Sequence, residues 1–259
     1  MVYVCPYYGQ NTYLKKLNHL RNLLSNQITI MPILPRRFER LKSVLNKRMS
    51  DLTVLIENVE KPHNLSAIIR SCDAVGVLEA YAIFNKEKFL TFNSTAQGSQ
   101  KWIKLHQFNE TKKAVNTLKE KGFKLYGTNL NSKSIDYKEC NFKGPTAFVL
   151  GAEKWGISEE AQSLMDEQIH IPMRGMVESL NVSVAASALL FEAIRQRQVA
   201  NIIPEYGEGM SKEKYKQKIF EWAYPEVATW CKSEGKKYPD LNEKGEIIDE
   251  LPRTERMRY

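Results

Sequence analysis

The sequence predicts an α/β protein built on a mainly parallel sheet, flanked by helical extensions at both ends. Three observations carry that expectation. Short apolar, β-branched runs alternate with segments of helical spacing. Gly76 and Gly122 stand where helices should stop. Charge is balanced through the body of the chain but strongly basic at its start.

In chain order, the spacing after Pro35 predicts a helix over 35–49. Residues 52–59 are mostly apolar and β-branched, as in a strand buried on both faces. Helical spacing follows at Leu65, Ile68, Ile69 and Cys72, with Gly76 placed as a C-cap. A strand at 80–84, a helix at 111–121 stopped by Gly122, and strands at 123–128 and 147–150 come next. A helix over 158–167, a short strand at 168–171 and a long apolar helix over 180–198 complete the pattern. From Pro204 the chain turns lysine-rich at 212–218, acidic at 246–250, and basic again at Arg253, Arg256 and Arg258. The expected organisation is an N-terminal extension at 1–34, a basic helix at 35–50, a central domain at 51–200 and a C-terminal extension at 201–259.

Composition narrows the function classes. A chain of 259 residues with 42% hydrophobic and 26% charged residues buries a core without disulfides. No apolar run approaches the roughly 18 to 20 residues of a membrane span. The start, from Met1 to Gln10, lacks a basic segment followed by an apolar one, so no secretory signal is expected. Cys5, Cys72, Cys140 and Cys231 are too scattered for a CxxC pair, which suggests reduced thiols and a cytoplasmic location. Residues 1–50 hold nine Lys or Arg against one acid, whereas the rest carries 29 of each sign. The dense part, Arg36, Arg37, Arg40, Lys42, Lys47 and Arg48, suits an RNA-binding arm, or else a merely solvated basic helix.

Several chemistries lack their residues. The one G-x-G, at Gly207 and Gly209, follows no expected strand, so no Rossmann dinucleotide site is supported. The glycines at 151 and 156 have Walker A spacing, but Ile157 stands where the phosphate-binding lysine belongs. With four histidines and no HExxH or Cys/His cluster, no metal is expected.

Three segments remain unexplained by composition. Residues 61–76 carry Asn64 and Arg70, six apart and therefore about 240° apart round a helix. They converge only if Asn64 sits at or before the helix start, where it would equally serve as a plain N-cap. Residues 147–158 are an apolar strand ending in Gly151, with Glu153 just beyond, where α/β proteins bind ligands; an ordinary tight turn is the other reading. Residues 169–187 deliver Ser179 and Asn181 to the start of a helix rich in small residues, and a helix cap alone would account for Ser179.

In this order and spelling the three segments resemble the three motifs of the SPOUT superfamily of RNA 2'-O-methyltransferases, most closely its TrmH family, which methylates guanosine 18 of tRNA. The likeness runs over roughly 35–250. It includes Arg37 and Phe38 at one end, and Tyr224, Pro225, Gly235, Tyr238, Pro239 and 242–247 at the other. Residues 1–34 lie outside it. The resemblance implies a deep trefoil knot, S-adenosylmethionine bound within it, a homodimer, and tRNA as partner. It places Asn64, Arg70, Glu153, Ser179 and Asn181 at the reacting ribose. It puts the cofactor against Thr128, Leu130, Leu150, Gly151, Ile171, Ser179, Leu180, Asn181 and Val182. Arginine is strongly basic as a class, so the role of Arg70 stays open between general base and electrostatic stabiliser. Relatives acting on rRNA or another tRNA position, and a noncatalytic RNA-binding protein, are the alternatives.

Overall fold

The computed structural model describes residues 32–59, 61–83, 101–152 and 155–249. The described residues within 40–222 form one compact unit, and those at 32–39 and 223–249 belong to a second.

Six consecutive buried residues, Leu52–Glu57, make β1, which pairs in parallel on both of its edges. Its neighbours are β2 (Glu79–Ile83) and β6 (Thr146–Leu150). With β3 (Lys104–Phe108), β4 (Lys124–Thr128), β5 (Ile135–Asp136) and β7 (Glu167–His170) they form one sheet in the order β3-β2-β1-β6-β4-β7-β5. Every pairing among the described strands is parallel. A parallel sheet must be covered on both faces, and the side-chain alternation divides it accordingly. Val54, Ile56, Phe148 and Leu150 pack with α2 (Pro62–Val75) and α5 (Val182–Val199). Leu55, Ala147 and Val149 point the other way, toward α3 (Thr111–Glu120) and α4 (Glu159–Leu164).

Helix ends follow local chemistry. Gly76 closes α2 at φ 85°, and a Cβ there would stand 2.7 Å from the Lys47 carbonyl oxygen. Ser158 caps α4, its Oγ accepting from the Ala161 amide. α1 (Pro35–Leu45) stops four residues before the expected end, and Met49 instead bridges Val77. α5 starts at Val182 rather than 180, because Asn181 caps it. The expected strand at 80–84 runs to Ile83, with Phe84 outside the described residues. β3 and β5 were not expected from the sequence, and both lie at sheet edges, where half-exposed strands carry no continuous apolar run.

After β7 and α5 come α6 (Lys212–Ala223) and α7 (Pro225–Ser233). Within the smaller unit the Tyr224 hydroxyl donates to the Gly245 carbonyl (2.8 Å) and accepts from the Ile33 amide (3.1 Å). Arg253, Arg256 and Arg258 lie outside the described residues.

Candidate functional site

The carboxyl ends of β4, β6 and β7 open onto a cleft of about 320 Å³. Thr128, Leu130, Leu150, Gly151, Ile171, Ser179, Leu180 and Val182 line it together, although the chain separates them by up to fifty-four positions. Asn181, named with them from the sequence, is not part of the lining. Asn129, Ala152, Trp155, Ile169, His170, Met173 and Glu178 also line the cleft and were not named. All but Asn129 lie within the segments 147–158 and 169–187 marked from the sequence, and the β4–β7 pairing, extended by the Asn129 amide to the Ile169 carbonyl (3.1 Å), brings Asn129 beside them.

The floor of the cleft depends on a chain reversal after β6. A Cβ on Gly151 would lie 2.0 Å from the Gly156 carbonyl and 2.2 Å from the Ile157 nitrogen, so only glycine lets the turn fold back on its own strand. The Gly156 amide closes the reversal on the Ala152 carbonyl at 2.8 Å. Glu153 lies outside the described residues. The walls are mainly Leu130, Leu150, Ile169, Ile171, Leu180 and Val182, and among the lining residues only His170 and Glu178 carry titratable side chains. Apolar walls with strand-end backbone groups suit a flat heterocycle such as adenine, oriented by backbone hydrogen bonds.

Beside the cleft, Asn181 joins two helices. Its Oδ1 accepts from the Ser183 amide (2.8 Å) and hydroxyl (2.6 Å), capping α5, while its Nδ2 donates to Asn64 Oδ1 at 3.2 Å. Asn64 is buried in the first turn of α2 and is itself helical, so it is neither an N-cap nor on the face of Arg70. Arg70 stands exposed farther along α2. Ser179, read as a possible helix cap, precedes the capping residue by two positions and lines the cleft instead. The structure thus joins Asn64 with Asn181 and Ser179 with the cleft, but does not bring Arg70 to Asn64.

The basic segment divides. Arg36, Arg37 and Arg40 are exposed on α1 and Lys42 is half-buried. Arg48, counted with them from the sequence, is instead buried: its Nη1 donates to the Val77 carbonyl at 2.7 Å and its guanidinium pairs with Asp73. Lys47 remains exposed. Among the described residues no three His, Cys, Asp or Glu side chains are grouped as metal ligands, and no helix is long and apolar enough to cross a membrane. Burial pushes the Cys72 thiol up to about 12 and the Cys140 thiol up to about 11, leaving neither as a thiolate nucleophile.

A parallel α/β sheet with an apolar, backbone-rimmed cleft at its strand ends is the arrangement on which α/β proteins of the nucleotide-binding class place their ligands. Residues 51–191 match the SpoU rRNA Methylase family, and residues 195–250 match the family described as SpoU, rRNA methylase, C-terminal. The chain belongs to the SpoU methylase family of methyltransferases. It is 50% identical to a tRNA (guanosine(18)-2'-O)-methyltransferase of Thermus thermophilus over 72% of this chain and 95% of the relative. Identity to the tRNA (guanosine(18)-2'-O)-methyltransferase of Escherichia coli is 41%, over 82% of this chain and 93% of that protein. The crystal structure of the A. aeolicus TrmH/SpoU tRNA modifying enzyme is similar with a TM-score of 0.68 and 38% identity, covering 74% of this chain and 97% of that one.

Proposed function

We propose that the protein transfers a methyl group from S-adenosylmethionine to the ribose 2'-hydroxyl of guanosine 18 in tRNA. The observation that carries this reading is the gathering of Thr128, Leu150, Gly151, Ile171 and Leu180 into one apolar cleft, with the Asn64–Asn181 pair beside it. Relatives that are 50% and 41% identical over the aligned stretch, and are matched over almost their full length, carry that activity in their names, which favours tRNA over rRNA.

The cleft fits the cofactor in chemistry: Leu130, Leu150 and Ile171 would wall the adenine, and Gly151 leaves backbone accessible at the floor. S-adenosylmethionine, when bound, supplies a methyl already activated by its sulfonium, so no metal is needed. The chain's part is alignment of the attacking hydroxyl and stabilisation of charge. The 2'-hydroxyl would accept that methyl while giving up its proton, to Arg70 or to water, and the chain's residues would hold the oxygen in line and offset its developing charge. Arg70 is assigned to that oxygen, as the base that takes the proton or as the cation that stabilises the developing alkoxide. The fold alone leaves it exposed on α2, which agrees with a site completed by other chains. A homodimer, with Val184 and Phe191 exposed seven residues apart on α5 as surface for the second copy, the family's knot, and a tRNA-binding role for 201–259 belong to the same reading. So do Glu153, Ser179 and Asn181 at the ribose, and Arg36, Arg37, Arg40 and Lys42 on tRNA phosphates.

The test is treatment of tRNA transcripts and, in parallel, of rRNA with the purified protein and S-adenosylmethionine, followed by mapping of 2'-O-methyl positions. Modification at guanosine 18 is the expected result. A methyl found only in rRNA, or at another tRNA position, would sink the assignment.

A further inference from the structure

Glu57, the last residue of β1, is 1% exposed and no Lys or Arg among the described residues forms an ion pair with it. Burying a carboxylate without a cation is costly unless its oxygens are served by hydrogen bonds. Three donors serve this one, each at 2.8 Å: the Thr111 hydroxyl on Oε1, the Ser158 hydroxyl also on Oε1, and the Ser158 amide on Oε2. Two of the three therefore belong to a single residue at the far end of the chain reversal that floors the cleft. The sheet register pairs Ile56 with Leu150, so Glu57 and Gly151 are the next positions along the two strands.

The connection from Ser158 to the cleft is short and tight. Ile157 is 1% exposed and reaches over Gly127 of β4, where a Cβ would come within 2.7 Å of its Cδ1. Gly156 lies against Gly151 so closely that no side chain fits between them, and both line the cleft. Immediately after Glu57 the chain leaves β1 through Asn58 at φ 54°, a left-handed conformation that a non-glycine residue adopts at a cost. An apolar residue at 57 would fill the same space without the desolvation cost, but it could not hold Ser158.

We propose that Glu57 is a positioning residue of the cofactor cleft, whose carboxylate clamps Ser158 and so fixes the Gly151–Gly156 reversal against the ends of β4 and β6. Thr111 anchors the same carboxylate to α3, through the oxygen that also accepts from the Ser158 hydroxyl, and is joined to the cleft by no such turn. The clamp rests on the cofactor reading above, since its consequence is tighter binding of S-adenosylmethionine.

Full-length protein carrying Glu57→Gln, Ser158→Ala or Thr111→Val separates the two partners of the carboxylate. Hydrogen exchange without ligand should speed up at the Gly156 and Ile157 amides in Glu57→Gln and Ser158→Ala, and stay unchanged there in Thr111→Val. Calorimetry with S-adenosylmethionine should give a Kd raised about tenfold to a hundredfold in the first two variants, as for loss of charge-assisted hydrogen bonds, with tRNA affinity unchanged. Combining Glu57→Gln with Ser158→Ala should add only about the 1 kcal/mol of stability that the α4 cap supplies through Ser158 Oγ and Ala161, and little further loss of cofactor affinity. Should Glu57→Gln fail to fold, Ser158→Ala against Thr111→Val makes the same comparison. Unchanged exchange at the turn, or an equal loss of cofactor affinity in Thr111→Val, overturns the clamp. Wild-type protein that binds no S-adenosylmethionine overturns the cofactor reading instead, and leaves the exchange comparison to decide on Glu57.

Discussion

The two ends of the sheet handle polar groups in opposite ways. At the amino end, Arg197 is 1% exposed and donates to Asp51 Oδ1 (2.7 Å) and to the carbonyls of Gly144 (2.8 Å) and Phe142 (3.1 Å). Arg48 does the same work beside β2, bound to the Val77 carbonyl and Asp73 with its guanidinium 5.5 Å from the Trp222 ring centre. At the carboxyl end no arginine or lysine is among the described residues that line the cleft, whose walls are apolar side chains and strand-end backbone. Charge counted along a sequence is therefore not the same as charge available to a partner. Arg48, from the basic segment, and Arg197 serve as internal braces, while the described lining of the surface proposed for the cofactor carries only His170 and Glu178 as titratable side chains.

The contrast is most exposed to test at the carboxyl end. Arg70→Ala should lower methyl transfer by about 10² to 10⁴-fold, the range for loss of general-base or oxyanion-type assistance, with S-adenosylmethionine binding intact by calorimetry. Arg70→Lys refines the result: partial rescue with an unchanged pH profile favours electrostatic stabilisation, and a shifted profile favours proton transfer. Normal turnover in Arg70→Ala with saturating tRNA removes Arg70 from the reaction.

At the amino end the expected losses are in stability rather than rate. Arg197→Met removes hydrogen bonds to three carbonyls and a carboxylate, and should cost about 3 kcal/mol in urea unfolding, with cofactor affinity of the folded protein unchanged. Glu79 provides a gentler, pH-controlled version. Burial pushes its carboxyl up, but hydrogen bonds from His106 (3.0 Å) and the Lys214 ammonium (3.0 Å) outweigh burial and hold it well below the ordinary carboxylate range. A carboxyl lowered in the folded state stabilises fully above its unfolded value near 4.5, and that stabilisation is lost as pH falls further. Acidification below that value should therefore lower the Tm of the wild type more than that of Glu79→Gln.

Smaller effects test single atoms. Asn181→Ala should destabilise by about 1 kcal/mol, as for loss of an N-cap. Asn181→Asp keeps the cap but sets a carboxylate against Asn64 Oδ1, so a fall in methyl transfer with near-normal Tm would place the function in the Asn64 contact rather than the cap. Neutralising Arg36, Arg37 and Arg40 together should flatten the salt dependence of tRNA binding, by roughly 0.7 to 0.9 in slope for each phosphate that is no longer neutralised. An unchanged slope would mean that these exposed side chains serve solvent alone.

Elements whose signal is local could be read from the order of the residues. Mostly apolar runs marked β1 and β6 because strands buried on both faces need them, and Gly76 and Ser158 marked helix ends because their backbone and capping chemistry is written in single residues. Three linked motifs marked the cleft residues Leu150, Gly151, Ser179 and Leu180. Whatever depends on packing between distant segments was settled by the folded chain alone. Folding made Arg48 a brace instead of an RNA contact, placed Asn64 inside its helix against Asn181, and set Glu57 next to Ser158 across 101 positions of chain. The edge strands β3 and β5 were equally illegible, since a half-exposed strand is defined by the neighbour that it pairs with. Capping and burial patterns act within a few residues and so leave a trace in the sequence. Whether a buried charge finds its partner is decided only when the sheet brings the two strand ends together.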